Sequence, residues 1–140
     1  MTNINLTLNV QVAGGPKDVL SLPKPIMVEA YDKIEVTVKP GETKEVDVQP
    51  GDALQVNFLL IKSSLFGPEM EYVVNDGNTT NFPATDAILL DQPFHLYLGT
   101  GAVSVFGIPP KRLKFTNTPP TGTTGKDAVI EILVGRDATP

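Results

Sequence analysis

Residues 33–51 read Lys33-Ile34-Glu35-Val36-Thr37-Val38-Lys39-Pro40-Gly41-Glu42-Thr43-Lys44-Glu45-Val46-Asp47-Val48-Gln49-Pro50-Gly51, and they decide the fold class. Ile34, Val36 and Val38 alternate with charged and hydroxyl residues, and Val46 and Val48 alternate in the same way with Glu45, Asp47 and Gln49. A period of two sends successive side chains to opposite sides of an extended chain, so each run is a strand with one apolar and one wet face. Each run then stops at Pro-Gly. Proline presets φ at the first central position of a type II turn, and glycine accepts the positive φ of the second.

The same logic extends in both directions. Ile4, Leu6, Leu8, Val10 and Val12 alternate with Asn5, Thr7, Asn9 and Gln11, which predicts one half-buried strand closed by Ala13-Gly14-Gly15-Pro16. Pro23 and Pro25 disfavour a helix and leave room for a brief pairing at 26–30, at a sheet edge. Met70, Tyr72 and Val74 run into Asn75-Asp76-Gly77-Asn78, a hairpin signal. Further strands are expected at 88–90, at Phe94, Leu96 and Leu98 alternating with His95 and Tyr97, at 103–106, and at Leu113 and Phe115. Residues 119–125 have the composition of a loop.

Two segments differ in kind. In 53–61, Leu54, Val56, Phe58 and Leu60 form one apolar face and Leu59 and Ile61 begin a second. Residues 128–134 are apolar throughout except for Glu131. Such strands need cover on both sides. Either a loop carrying Phe66 or Ile108 or another subunit is expected to supply it. About nine or ten short strands with turn signals between them, and no convincing helix, predict an all-β chain. The expected architecture is an antiparallel β-sandwich or jelly roll, a single domain over residues 1–140.

Chemistry is less well represented. The chain has no cysteine, which excludes disulfides, thiolate catalysis and Cys-ligated metals. His95 is the one histidine, and no Gly-x-Ser-x-Gly elbow accompanies it, so no catalytic residues are assigned and the chain is read as a non-enzyme. Asn75, Asp76 and Asn78 are oxygen donors of the kind calcium takes, but they lack the EF-hand spacing and read as turn chemistry. No metal site and no cofactor are expected. Lys111, Arg112 and Lys114 form the one basic cluster, read as charges that guard an edge strand.

A net charge of −5 argues against nucleic acid, and no apolar run reaches the ~20 residues of a membrane helix. The first residues lack a basic n-region and a continuous apolar stretch, so no signal peptide is read; the expected location is cytoplasmic, or part of a released assembly. The doubly apolar strands point to a structural or assembly module, such as an accessory subunit of a larger particle or surface structure. Its expected partner is protein, as a homo-oligomer or a larger assembly, met through β-sheet surfaces. The alternative is a module that binds a small ligand or carbohydrate, for which His95, Tyr97 and Tyr72 are the candidate residues. His95 and Tyr97 are expected on the outward face of their strand.

Overall fold

The computed structural model describes residues 2–5, 9–10, 14, 20–21, 26–28, 30–48, 56–75, 87–98, 106 and 110–136. In chain order the strands are β1 (Thr2–Ile4), β2 (Asn9–Val10), β3 (Leu20–Ser21), β4 (Ile26–Val28), β5 (Ala30–Val38) and β6 (Thr43–Asp47). After these come β7 (Val56–Ser63), β8 (Met70–Val74), β9 (Ile88–Leu89), β10 (Phe94–Leu98), β11 (Arg112–Asn117) and β12 (Ala128–Arg136). No helix occurs among the described residues.

Eight of the strands make two antiparallel sheets of four. The first has the order β10-β7-β12-β5 and the second the order β6-β11-β8-β9. The pairs β5·β12, β6·β11, β7·β10 and β8·β9 are nested, first with last and so inward, as in a long hairpin rolled around a core. That nesting is a jelly roll, one of the two all-β arrangements that the strand pattern predicts. The remaining strands form two short ribbons, β1·β4 and β2·β3.

The turn at Pro40-Gly41 takes the predicted form. Glu42 N–H donates to the Lys39 carbonyl at 2.9 Å, and Gly41 has φ +79°. Its role differs from that of a hairpin, because it carries the chain from β5 in the first sheet to β6 in the second. Pro50-Gly51 lies outside the described residues, as do 53–55 and, apart from Phe106, the expected strand at 103–106.

The core lies between the sheets. Leu59, Ile61, Ile130, Ile132 and Val134 of the first sheet meet Met70, Tyr72, Val74, Leu113 and Phe115 of the second, all buried. Each fully buried aliphatic or aromatic side chain stabilises the fold by roughly 1.5–3 kcal/mol. The outer face of the second sheet is polar over β6 and β11, while Val73 and the exposed Leu89 lie on it farther along. Over β6 and β11, Thr43, Glu45 and Asp47 lie opposite Thr116, Lys114 and Arg112, with Arg112 Nε 2.7 Å from Asp47 Oδ1.

Three expectations need correction. The basic cluster does not guard an edge, since β11 is flanked by β6 and β8. Arg112 and Lys114 are instead matched by carboxylates across the ladder, which lowers the cost of placing them on an interior strand. Among the described residues, the Asn75-Asp76-Gly77-Asn78 signal is followed by no strand paired with β8 before Ile88. Asn75 has φ +57°, and its Oδ1 accepts from the backbone N–H groups of Lys111 (2.6 Å) and Arg112 (3.1 Å). It thus extends the β8·β11 pairing by a side chain, while 76–78 lie outside the described residues. Finally, the single strand expected over 4–12 is represented by two, β1 and β2, which have different partners. Residues 6–8 and 11–13 lie outside the described set.

Candidate functional site

The candidate residues fall on two strands from opposite sheets. Tyr72 is the central residue of β8, and His95 and Tyr97 are on β10. β10 pairs with β7 in a register that sets His95 beside Ile61 and Tyr97 beside Leu59, both core residues. His95 and Tyr97 therefore share a face, as alternation requires, but it is the inner one. The expectation of an outward face is corrected for a physical reason. Most residues of Phe94-His95-Leu96-Tyr97-Leu98 are apolar on either side, so hydropathy does not choose the face and the ladder register does.

Inside the sandwich the three residues find partners. Tyr72 is fully buried, and its hydroxyl lies 2.8 Å from His95 Nδ1. Burial pushes the Tyr72 hydroxyl well above the usual phenol range, and the nearby Asp91 carboxylate adds to the shift. Tyr72 thus keeps its proton, and the carboxylate acceptor facing Nε2 favours the tautomer in which the hydroxyl donates to Nδ1. A neutral imidazole that accepts at Nδ1 carries its own proton on Nε2, which faces Asp91 Oδ1 at 3.4 Å. Tyr97 stacks on Phe106 with ring centroids 5.0 Å apart and planes 6° from parallel. Burial raises its hydroxyl too. The rings of Phe106 and Phe115 lie against Tyr72.

Both ring nitrogens of His95 are thus engaged by a phenol and a carboxylate. The structure brings Tyr72 and His95 into direct contact, and sets Tyr97 beside them through Phe106. What the arrangement does chemically is to place a polar link between the two sheets inside the core. Among the described residues, no three His, Asp or Glu side chains gather as metal ligands. The Asn75 oxygen, a candidate donor by sequence, is already held by two N–H groups.

A second region comes from the outer face of the first sheet, where the doubly apolar strands were expected to need cover. Backbone register sorts this face into rows. Leu98, Phe58 and Gly135 make one row, Leu96, Leu60 and Leu133 the next, and Phe94, Lys62 and Glu131 the third. The register shift between Gly135 and Arg136 explains how Val56 rejoins the inner face while Phe58 points outward.

The first row is covered by the chain itself. At Gly135 a Cβ would lie 2.6 Å from Ile4 Cδ1 and 2.8 Å from Val28 Cγ1, so the β1·β4 ribbon rests directly on this glycine. Phe58, Leu98 and Val28 are all buried. Phe66 is not part of this cover, being 44% exposed, and Ile108 lies outside the described residues.

The other rows are open. Phe94 is 54% exposed and Val129 36%, with Leu96, Leu60 and Leu133 half-buried. Lys62 Nζ lies 3.4 Å from Glu131 Oε2, and the pair stands in a shallow groove of about 280 Å3 lined also by Ser64 and Val129. A neighbouring groove, lined by Leu60, Leu133 and Lys33, shares the same ion pair. Sequence reasoning found the doubly apolar strands that build this face. It missed Phe94, which it assigned to the core.

No protein-family model matches the chain, and no curated protein matches it.

Proposed function

We propose that the chain is a structural module that assembles through the outer face of its first sheet, as an accessory subunit of a larger protein assembly. One observation carries the reading: the first sheet's outer face, sealed at Gly135 by the chain's own ribbon, continues into an apolar row, Leu96–Leu60–Leu133, that no described residue covers, with exposed Phe94 in the next row beside the Lys62–Glu131 pair and exposed Val129 beyond it. Apolar side chains gathered on one sheet face mark association surfaces, whereas singly scattered ones do not. On the second sheet's outer face Arg112 and Lys114 are matched by Asp47 and Glu45, and exposed Leu89 sits opposite Glu71 rather than in an apolar row.

Two observations weigh against the ligand-binding alternative at the predicted residues. Tyr72 and His95 are inside the sandwich and hydrogen-bonded to each other, and Tyr97 is stacked on Phe106. The grooves over Lys62 and Glu131 are also below the roughly 300–1,000 Å3 of a typical small-molecule site.

Gel filtration of the chain from its native source tests the reading. It is expected in a species larger than the 15.0 kDa monomer, and Leu133→Lys is expected to reduce that size. A native chain that elutes as a monomer overturns the proposal.

A further inference from the structure

Among the described residues the two sheets have four edge strands, β10 and β5 in the first and β6 and β9 in the second. An edge strand offers a row of unpaired N–H and C=O groups, and proteins protect it with charge or by keeping it short. Three of the four edges here follow that rule. β5 carries Asp32, Lys33 and Glu35, β6 carries Lys44, Glu45 and Asp47, and β9 is two residues long. β10 has neither device, since Phe94-His95-Leu96-Tyr97-Leu98 holds no Asp, Glu, Lys, Arg or Pro.

The hydrogen bonds identify which groups of β10 face outward from the sheet. Ser63 N–H donates to the Pro93 carbonyl at 3.1 Å, and these residues are opposite one another in the β7·β10 register. Bonded pairs alternate along an antiparallel ladder, so His95 and Tyr97 also bond to β7, and the backbone groups of Phe94 and Leu96 point away from it. Among the described residues, those groups meet neither a donor nor an acceptor. This stretch of the edge, Phe94 to Leu96, also adjoins the apolar row of the outer face, because Leu96 pairs with Leu60; Leu98 beyond it has a partner of its own.

Resting on the assembly reading above, we propose that the occupant of this edge is a second copy of the chain, with the two β10 strands paired antiparallel about a two-fold axis at His95. The edge is its own complement in that register. Phe94 stands opposite the partner's Leu96 and Leu96 opposite the partner's Phe94, so the outward groups of the two residues close a ring of backbone hydrogen bonds in each half of the contact. Their side chains lie on the outer face and bring apolar surface to apolar surface across the axis. His95 falls on the axis, with its imidazole held inward by Tyr72. The union makes one continuous sheet of eight strands, twice the four of each copy. The β1·β4 ribbons sit at the Gly135 row of each copy, and antiparallel pairing carries them to opposite ends of the joined sheet.

Sedimentation and amide hydrogen exchange on the purified chain test this. A contact of one short strand falls in the weak class of interface, so the range should extend to roughly 1 mM. The chain is expected to pass from monomer to dimer, with the Phe94 and Leu96 amides gaining protection as concentration rises. The His95 and Tyr97 amides, bonded to β7, should be protected throughout. Leu96→Pro removes an outward N–H, and Phe94→Lys sets a cation beside the partner strand; each is expected to weaken the dimer by about tenfold or more. Phe94→Lys changes an exposed side chain alone, so it decides the matter if Leu96→Pro does not fold. Leu133→Lys, two strands away on the same face, is expected to leave the dimer intact.

A wild-type chain that stays monomeric throughout the range overturns the proposal. So does a dimer in which the Phe94 and Leu96 amides gain no protection. A dimer broken by Leu133→Lys and not by the edge variants also overturns it, while leaving assembly through the outer face standing.

Discussion

The Tyr72 hydroxyl of β8 lies 2.8 Å from His95 Nδ1 of β10, and this hydrogen bond joins the two sheets through the core. Replacing Tyr72 with Phe leaves a buried ring nitrogen without its donor. The expected loss is about 1–3 kcal/mol, the usual cost of an unsatisfied buried polar group. Denaturant melts give the number, and nitrogen NMR of the single histidine gives the tautomer. The wild type should show the proton on Nε2. A proton on Nδ1 of the neutral ring would contradict the assignment of Tyr72 as donor.

The same contact makes the fold sensitive to alkali. Tyr72 has a folded-state pKa raised above the ~10 of a free phenol, by burial first and then by Asp91. An unfolded chain therefore loses this proton at a lower pH than the folded chain does. Stability is fully present below about pH 10 and declines as the pH rises above it, because the unfolded state there binds fewer protons. Absorbance titration should find Tyr72 ionising together with unfolding, and Tyr72→Phe should flatten the alkaline decline. An equal decline in the variant would assign the effect to other groups.

Gly135 is required by contact rather than by a turn. Ile4 Cδ1 and Val28 Cγ1 occupy the space that a Cβ would take, and Val28 is buried and β-branched, with little freedom to turn aside. Gly135→Val is expected to lift the ribbon at a cost of about 1–3 kcal/mol, the usual penalty for overpacking. Hydrogen exchange should show β1 and β4 losing protection while β7 and β12 keep theirs. Uniform loss across the sheets would show that the ribbon and the sandwich unfold as one unit.

Asn117 ends β11 with its side chain fully buried, donating from Nδ2 to the Val38 carbonyl (3.0 Å) and the Lys126 carbonyl (2.7 Å). Among the described residues its Oδ1 has no partner. Asn117→Ala strands two carbonyls, with an expected cost of about 1–3 kcal/mol. Asn117→Asp should cost more, and increasingly so as the pH rises past the carboxylate range, since the site offers two acceptors and no donor to a buried charge. Thermal melts of both variants between acid and neutral pH test this. Equal stabilities at neutral pH would mean that water reaches the site.

Much of this protein could be read from local pattern. The alternation at 34–38 and 46–48 yields β5 and β6, and Pro40-Gly41 yields a turn with Gly41 at positive φ, because these depend on side-chain parity and local torsion. The doubly apolar runs were legible as strands needing two-sided cover, and β7 and β12 are the central strands of the first sheet. The class followed from such signals, which left its form open between a sandwich and a jelly roll until the strand pairing was seen.

What local pattern does not hold is pairing. Nothing in Arg112-Leu113-Lys114-Phe115 distinguishes an edge from an interior strand, because that depends on whether β6 and β8 arrive on its two sides. The inward turn of His95 was hidden for the same reason, as both faces of β10 are largely apolar and only the register with Ile61 selects one. The cover over Gly135 comes from Ile4 and Val28, more than a hundred residues away in sequence, and no loop near the strands announced it. The sequence by itself determined an all-β chain of short strands and where many of its turns fall. Only the tertiary structure decided which described strands are neighbours, and with them the polar links inside the core and the place of β10 at the edge of its sheet.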